Sequence, residues 1–168
     1  NSAWYSCVLT NDHVSGFAAY LGKTNATLSP TSAFDTVKTS PAANTENNFF
    51  GCEFHDRNTD ATGTVGTMYL DGARTANFHG CLIENGTASG EYVRMKGLVQ
   101  DIWFFGCKFY SETGTATAHI FDLDASASVS RVSVIGCIHD EAPEYSGNFV
   151  NIGSGAIARQ FNIQGWDA

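Results

Sequence analysis

A short motif recurs at nearly even spacing along this chain. The stretches NFFGCEF (48–54), NFHGCLI (77–83), WFFGCKF (103–109) and SVIGCIH (133–139) each carry an apolar residue, a variable residue, Gly and Cys in that order. Their glycines stand at 51, 80, 106 and 136, steps of 29, 26 and 30 residues. Gly165, in FNIQGWD, extends the series by another 29, with Trp166 in the cysteine slot. Upstream, AWYSCVL (3–9) fits the same frame with Ser6 in the glycine slot. All five cysteines (Cys7, Cys52, Cys81, Cys107, Cys137) therefore occupy one repeat position. Self-similarity at such a period marks a stacked-repeat architecture.

A second segment recurs downstream in each unit: FAAYLG (17–22), TMYLDG (67–72), YVRMKG (92–97), IFDLDA (120–125) and FVNIGS (149–154). Met68 and Leu70, Val93 and Met95, Phe121 and Leu123, and Val150 and Ile152 alternate as strand residues sharing one face. Each unit thus holds two or three short strands joined by Gly, Ser, Thr and Asn turns. One unit cannot bury its own apolar face, so the units must stack. Leucine-rich repeats need a Leu/Asn signature that is absent, and propeller blades need about 40 residues or more. The chain is expected to be all-β, a parallel β-helix of about five to six rungs, each of 26–30 residues. Its 168 residues suit one domain, 1–168. The first unit is longer, and its excess lies in 27–46, which holds two of the three prolines. That stretch reads as a loop thrown out from the coil, or as one degenerate rung.

Taking cysteine as position zero, position −3 is Trp4, Phe49, Phe78, Phe104, Val134 and Ile163, and position +2 is Leu9, Phe54, Ile83, Phe109, His139 and Ala168. Both columns read as interior. They lie an odd number of residues apart, so plain alternation would put them on opposite faces. A left-handed residue between them makes a one-residue corner and resets the phase, which glycine does without steric cost. The cysteine column then points inward as a small hydrophobe. Neighbouring rungs lie ~4.8 Å apart, so a disulfide between adjacent cysteines is the alternative to buried thiols. Five in a row cannot all pair, which favours thiols. Collinear ligands do not make a tetrahedron, so no metal is expected.

Position −2 should point outward. It holds Tyr5, Phe50, His79, Phe105, Ile135 and Gln164, and position −4 adds Trp103. An exposed aromatic stripe wants a partner. Long turns folded over it would satisfy that, as would an oligomer interface or a sugar-stacking platform. The interface is favoured, because positions −4 and −2 are both large only in the middle rungs.

The formal charge of −8, with only 9 Lys and Arg, argues against nucleic acid as a partner. No apolar run reaches the ~18 residues of a membrane span, so no membrane insertion is expected. No cofactor motif is visible.

IWFFGCKF and VSVIGCIH resemble the V-x-I-x-(N/G)-C-x-F repeats of the right-handed parallel β-helix of the pectate-lyase superfamily. The resemblance spans the chain outside 27–46. Low basic content, polar turns and an aromatic outer face look most like a bacteriophage tailspike within that group. The resemblance implies a single-stranded right-handed coil, a homotrimer, a place on the virion tail or outside the cell, and bacterial surface polysaccharide as partner. It carries over no catalytic residue, because the Asp clusters and catalytic Arg of pectate lyases are not recognisable. The alternatives are a secreted polysaccharide lyase or glycoside hydrolase, and a structural trimerisation or spacer domain without a ligand. Neither end shows a cap for the coil, so a longer polypeptide or covering subunits are expected.

The outward residues of the second strand read as the floor of a glycan groove. Tyr20, Tyr69, Arg94 and Asn151 are candidate sugar contacts, with Asp122 in the same column. Asp71, Asp122 and Asp124 are candidate acids. Asp122 and Asp124 are two residues apart on one strand, roughly 6.5–7 Å, and Asp71 and Asp124 two rungs apart, roughly 9–10 Å. Both fit the separations of glycosidase carboxylate pairs, roughly 5–9.5 Å. The plainer alternative is a solvated face held by Arg94–Asp122 and Lys96–Asp124 pairs. FHD (54–56) and IHDE (138–141) offer His–Asp dyads, but His139 at +2 should point inward as a hydrogen-bonded core residue.

Overall fold

The computed structural model describes residues 2–11, 17–23, 34–38, 46–56, 66–86, 91–111, 119–140 and 149–167. The backbone runs through β1 (Ser2–Tyr5), β2 (Val8–Asn11) and β3 (Phe17–Lys23), then β4 (Phe34–Lys38). It continues through β5 (Asn47–Phe50), β6 (Glu53–Asp56) and β7 (Gly66–Asp71), then β8 (Arg74–His79), β9 (Leu82–Asn85) and β10 (Glu91–Lys96). The pattern recurs in β11 (Leu98–Phe105), β12 (Lys108–Ser111) and β13 (Phe121–Leu123), then β14 (Ser128–Ile135), β15 (Ile138–Asp140), β16 (Val150–Ile152) and β17 (Ile157–Gln164). No helix occurs among the described residues.

Every strand pairs in parallel with its counterpart from a neighbouring unit, forming three sheets. Sheet A is β1-β5-β8-β11-β14-β17, sheet B is β2-β6-β9-β12-β15, and sheet C is β4-β3-β7-β10-β13-β16. This is an all-β parallel β-solenoid. β4 lies inside the 27–46 segment and extends sheet C beyond β3.

The recurring motif forms the corner between sheets A and B. Gly51, Gly80, Gly106, Gly136 and Gly165 all have φ between 56° and 60°, and Ser6 has φ 49°. That left-handed residue reverses the strand phase, so Phe49, Phe78, Phe104 and Val134 before it and Phe54, Ile83 and Phe109 after it are all buried. Phe49, Phe78 and Phe104 stack along the axis, with centroids 5.0 and 4.7 Å apart and planes within 9° of parallel. Of the +2 phenylalanines, Phe54 closes edge-on against Phe49 and Phe109 lies tilted against Phe104. Burial of each such ring is worth about 1.5–3 kcal/mol relative to exposure.

All five cysteines are free thiols, and all but Cys7 are buried. Each of the four buried Sγ atoms donates to the carbonyl of the −3 residue one unit back: Cys52 to Trp4, Cys81 to Phe49, Cys107 to Phe78 and Cys137 to Phe104, at 3.3–3.5 Å. The column therefore fills a narrow space with a soft apolar atom while giving a weak donor to a backbone acceptor. Desolvation pushes the Cys52 thiol up. The Cys137 and Cys81 thiols on either side, with burial, do the same for Cys107.

A second phase reset lies upstream in sheet A and carries no glycine. Thr75, Asp101, Arg131 and Gln160 sit six residues before the cysteine slot, all with φ between 54° and 58°. Ala73, Val99 and Val129 before them and Ala76, Ile102 and Val132 after them are buried alike. Side chains at the bend point out, and Arg131 grips Asp101 on the neighbouring strand, Nε to Oδ1 at 2.5 Å and Nη2 to Oδ2 at 2.7 Å.

Candidate functional site

Sheet C brings together the residues expected to floor a groove. Its inner positions Met68, Val93, Phe121, Leu70, Met95 and Leu123 are buried, which turns the intervening residues outward. Register pairs Tyr20 with Tyr69, Tyr69 with Arg94, Arg94 with Asp122, and Asp122 with Asn151, so the five form one cross-strand column. Asp71 pairs with Lys96 in the adjoining column. The side chain of Tyr20 lies outside the described residues.

Arg94 organises the middle of this face. Its Nη2 donates to Asp124 Oδ2 at 3.2 Å, and its Nε stands 3.7 Å from Asp122 Oδ2. Asn151 Nδ2 donates to the other Asp122 oxygen at 2.8 Å. Asp124 also accepts from the Ser126 backbone N–H and hydroxyl, both at 3.1 Å. The Ser126 backbone bond first, and Arg94 after it, hold the Asp124 carboxyl below its usual value. Asp124 is thus an ionised acceptor that a ligand hydroxyl can meet, and a poor proton donor. The expected Arg94–Asp122 approach is present, but Arg94 also takes Asp124, the residue assigned to Lys96.

Tyr69 stacks on Phe17 at 4.8 Å. Burial first, then the charge of Asp71, pushes its phenol up to about 12, so it stays a neutral donor. Glu91, not recognised in the sequence, sits at the start of the same strand as Arg94. Its Oε2 accepts the His119 backbone N–H at 2.8 Å. Desolvation pushes its carboxyl up to about 7, with the charge of Asp122 adding to the rise. Its sequence neighbourhood, SGEYV, gave no sign of this, because its hydrogen-bond partner His119 lies 28 residues away in the chain.

The outward stripe on sheet A is continuous. Tyr5, Phe50, His79 and Phe105 are aligned in register and followed by Ile135. Their rings stack in sequence at 5.0, 4.9 and 5.2 Å, all within 12° of parallel. Trp103 leans on Phe105 at 5.5 Å and is exposed. Because each ring face already covers its neighbour, the internal rings offer solvent mainly their edges. A sugar ring stacks on an aromatic face, so this geometry suits protein contact better than glycan stacking.

The two histidine motifs resolve differently. His139 is buried, as its position implies, with Nε2 3.1 Å from the Tyr92 hydroxyl. Burial lowers its imidazole to about 4, which marks a neutral core residue. His55 is also buried, but its ring partners are not the adjacent Asp56. Nδ1 lies 2.5 Å from Glu84 Oε2 and Nε2 2.9 Å from Glu53 Oε2. Among the described residues no group of three His, Cys, Asp or Glu is placed to hold a metal ion.

No family model matches this chain, and no curated protein or solved structure matches it either. What the structure shows is the parallel β-solenoid architecture itself.

Proposed function

We propose that this chain is a tailspike-like, virion-exposed or extracellular domain that recognises bacterial surface polysaccharide along the outer face of sheet C and assembles as a homotrimer through sheet A. The observation that carries the reading is the column Tyr69, Arg94, Asp122 and Asn151, aligned in register over four adjacent strands. It sets a hydroxyl, a guanidinium, a carboxylate and an amide in one line, each about 4.8 Å from the next. Such a line matches the spaced hydroxyls of an extended glycan. The hydrogen-bonded, ionised state of Asp124 favours recognition over cleavage. The edge-on ladder of Phe50, His79 and Phe105 supports a protein partner on sheet A.

The test is titration of the folded protein with a panel of purified bacterial O-antigen and capsular polysaccharides, read by calorimetry. Binding by at least one member, weakened about tenfold or more by Arg94→Ala, is expected (about 1.4 kcal/mol). No binding across the panel by a stable trimer would favour the spacer reading.

A second reading has one observation behind it. Glu91, with its carboxyl raised to about 7 and Asp122 nearby, has the character of a general acid. A hydrolase would release reducing ends from the bound polysaccharide and lose that release in Glu91→Gln while retaining affinity.

A further inference from the structure

We propose that Glu53, His55 and Glu84 share one retained proton and form a pH-sensitive brace across sheet B. His55 and Glu84 are register partners on β6 and β9, and Glu53 lies two residues before His55 on the same face. Both imidazole nitrogens are within hydrogen-bond distance of a carboxylate oxygen, Nδ1 to Glu84 Oε2 and Nε2 to Glu53 Oε2. An ionised carboxylate only accepts, and a neutral imidazole has a single N–H. Two simultaneous bonds therefore require a proton beyond those carried by a neutral ring between two ionised carboxylates. That proton lies on the second ring nitrogen or on one of the carboxyls it faces.

Burial gives the arrangement consequence. His55 and Glu84 are each 5% exposed, so an unpaired contact there would not be relieved by water. The Glu53 side chain is 49% exposed and gives the trio a route to solvent. From the flanking strands, Thr10 of β2 pairs in register with His55, and Tyr110 of β12 with Glu84. On β6 itself, buried Asp56 follows His55. Lys108 of β12 is turned to Asp140 of β15, at 2.6 Å. His139 of β15 is turned to the Tyr92 hydroxyl. Asp56, Tyr110, Lys108, His139 and Asp140 are thus the other charged or titratable described groups on β2, β6, β9, β12 and β15. Loss of the shared proton would set a nitrogen lone pair against a carboxylate in a buried site, and β6 and β9 would loosen. The stabilisation is present while the proton is held and is lost as pH rises past the point where it leaves.

The test combines imidazole nitrogen NMR with melting curves across pH. In the wild type at pH 7, either both His55 ring nitrogens should carry protons or the Glu53 or Glu84 carboxyl carbon should show the protonated shift. The melting temperature should fall by a few degrees from pH 7 to the alkaline end relative to Glu84→Gln, whose amide needs no extra proton. Glu53→Gln, at the exposed end, gives the same comparison where Glu84→Gln does not fold. A singly protonated ring between two ionised carboxylates would overturn the proposal, as would an alkaline slope that Glu84→Gln and Glu53→Gln leave unchanged. Neither readout depends on glycan binding, so this inference stands or falls apart from the proposed function.

Discussion

The rings of Phe50 and His79 lie face to face on the outside of sheet A, 4.9 Å apart and 10° from parallel. Tyr5 continues the stack on one side and Phe105 on the other. A ladder that spends its ring faces on itself presents a row of edges, which suits the side chains of another subunit. On the proposed trimer, Phe50→Ser combined with Phe105→Ser is expected to leave a monomer in light scattering. Far-ultraviolet circular dichroism should be unchanged, because neither ring enters the core. A wild-type monomer at micromolar concentration would refute the assignment of this face.

Arg94 is the one cation that reaches both Asp122 and Asp124 among the described residues. Arg94→Ala leaves the two carboxylates facing each other across neighbouring positions without it. All three side chains keep partial solvent access, so the cost to stability should be modest, about 1 kcal/mol in urea melts. The loss in polysaccharide affinity should be larger, about tenfold or more. Arg94→Lys should recover stability better than affinity, since a point charge cannot reproduce a forked donor. Equal loss of both by the two variants would show Arg94 to be purely structural.

The corner between sheets A and B was legible in the sequence because its special residue is chemically marked. Glycine recurs there, and an odd spacing between two apolar columns demands a phase reset. The second reset, at Thr75, Asp101, Arg131 and Gln160, was hidden because ordinary residues hold the same left-handed backbone. The same contrast applies to the site. The outward column on sheet C followed from alternation alone, and the structure aligns it as expected. Partner choice did not follow. Whether Asp124 meets Arg94 or Lys96, and whether His55 meets Asp56 or Glu84, depends on side-chain reach across strands 29 or 30 residues apart. Nothing local encodes that reach.

Two buried or half-buried groups give opposing pH dependences. Burial lowers His139 from 6.5 to about 4, so between those values the unfolded chain binds a proton that the folded chain refuses. Stability from this group falls as pH falls through that window, by up to about 3 kcal/mol. Glu91 is raised from 4.5 to about 7, so in that window the folded chain keeps a proton that the unfolded chain releases. Stability from this group falls as pH rises. The two slopes oppose one another where the windows overlap. Relative to wild type, Glu91→Gln should steepen the gain in melting temperature as pH rises from 4.5 to 6.5. His139→Gln should reverse the sign of that difference. Identical pH slopes in all three proteins would contradict both assignments.

The column of Phe49, Phe78 and Phe104 should carry much of the stability, because each ring is fully buried and stacked on the next. Phe78→Ala removes the central ring and leaves a cavity that two flanking rings cannot fill together. A loss of about 3–5 kcal/mol is expected from chemical denaturation. Phe78→Leu should cost less than half of that by keeping most of the volume. A loss under 1 kcal/mol for the alanine variant would mean that the solenoid closes around the gap.

Glycine substitutions separate backbone strain from steric exclusion. At Gly80, φ is 58° and a methyl group would meet nothing within 4 Å. At Gly66 the added carbon would stand 2.4 Å from the Glu91 carbonyl oxygen, inside the pairing of β7 and β10. Gly80→Ala should therefore cost only the left-handed backbone penalty, about 1–2 kcal/mol. Gly80→Asn should cost less, since asparagine visits that region more readily. Ser6 already holds the equivalent corner with φ 49°, so a side chain there is compatible with the turn. Gly66→Ala must move backbone on one strand or the other and should be the most damaging of the three in urea denaturation. If Gly80→Ala proved as costly as Gly66→Ala, the corner would be constrained by packing, and the glycine would owe its place to something other than its conformation.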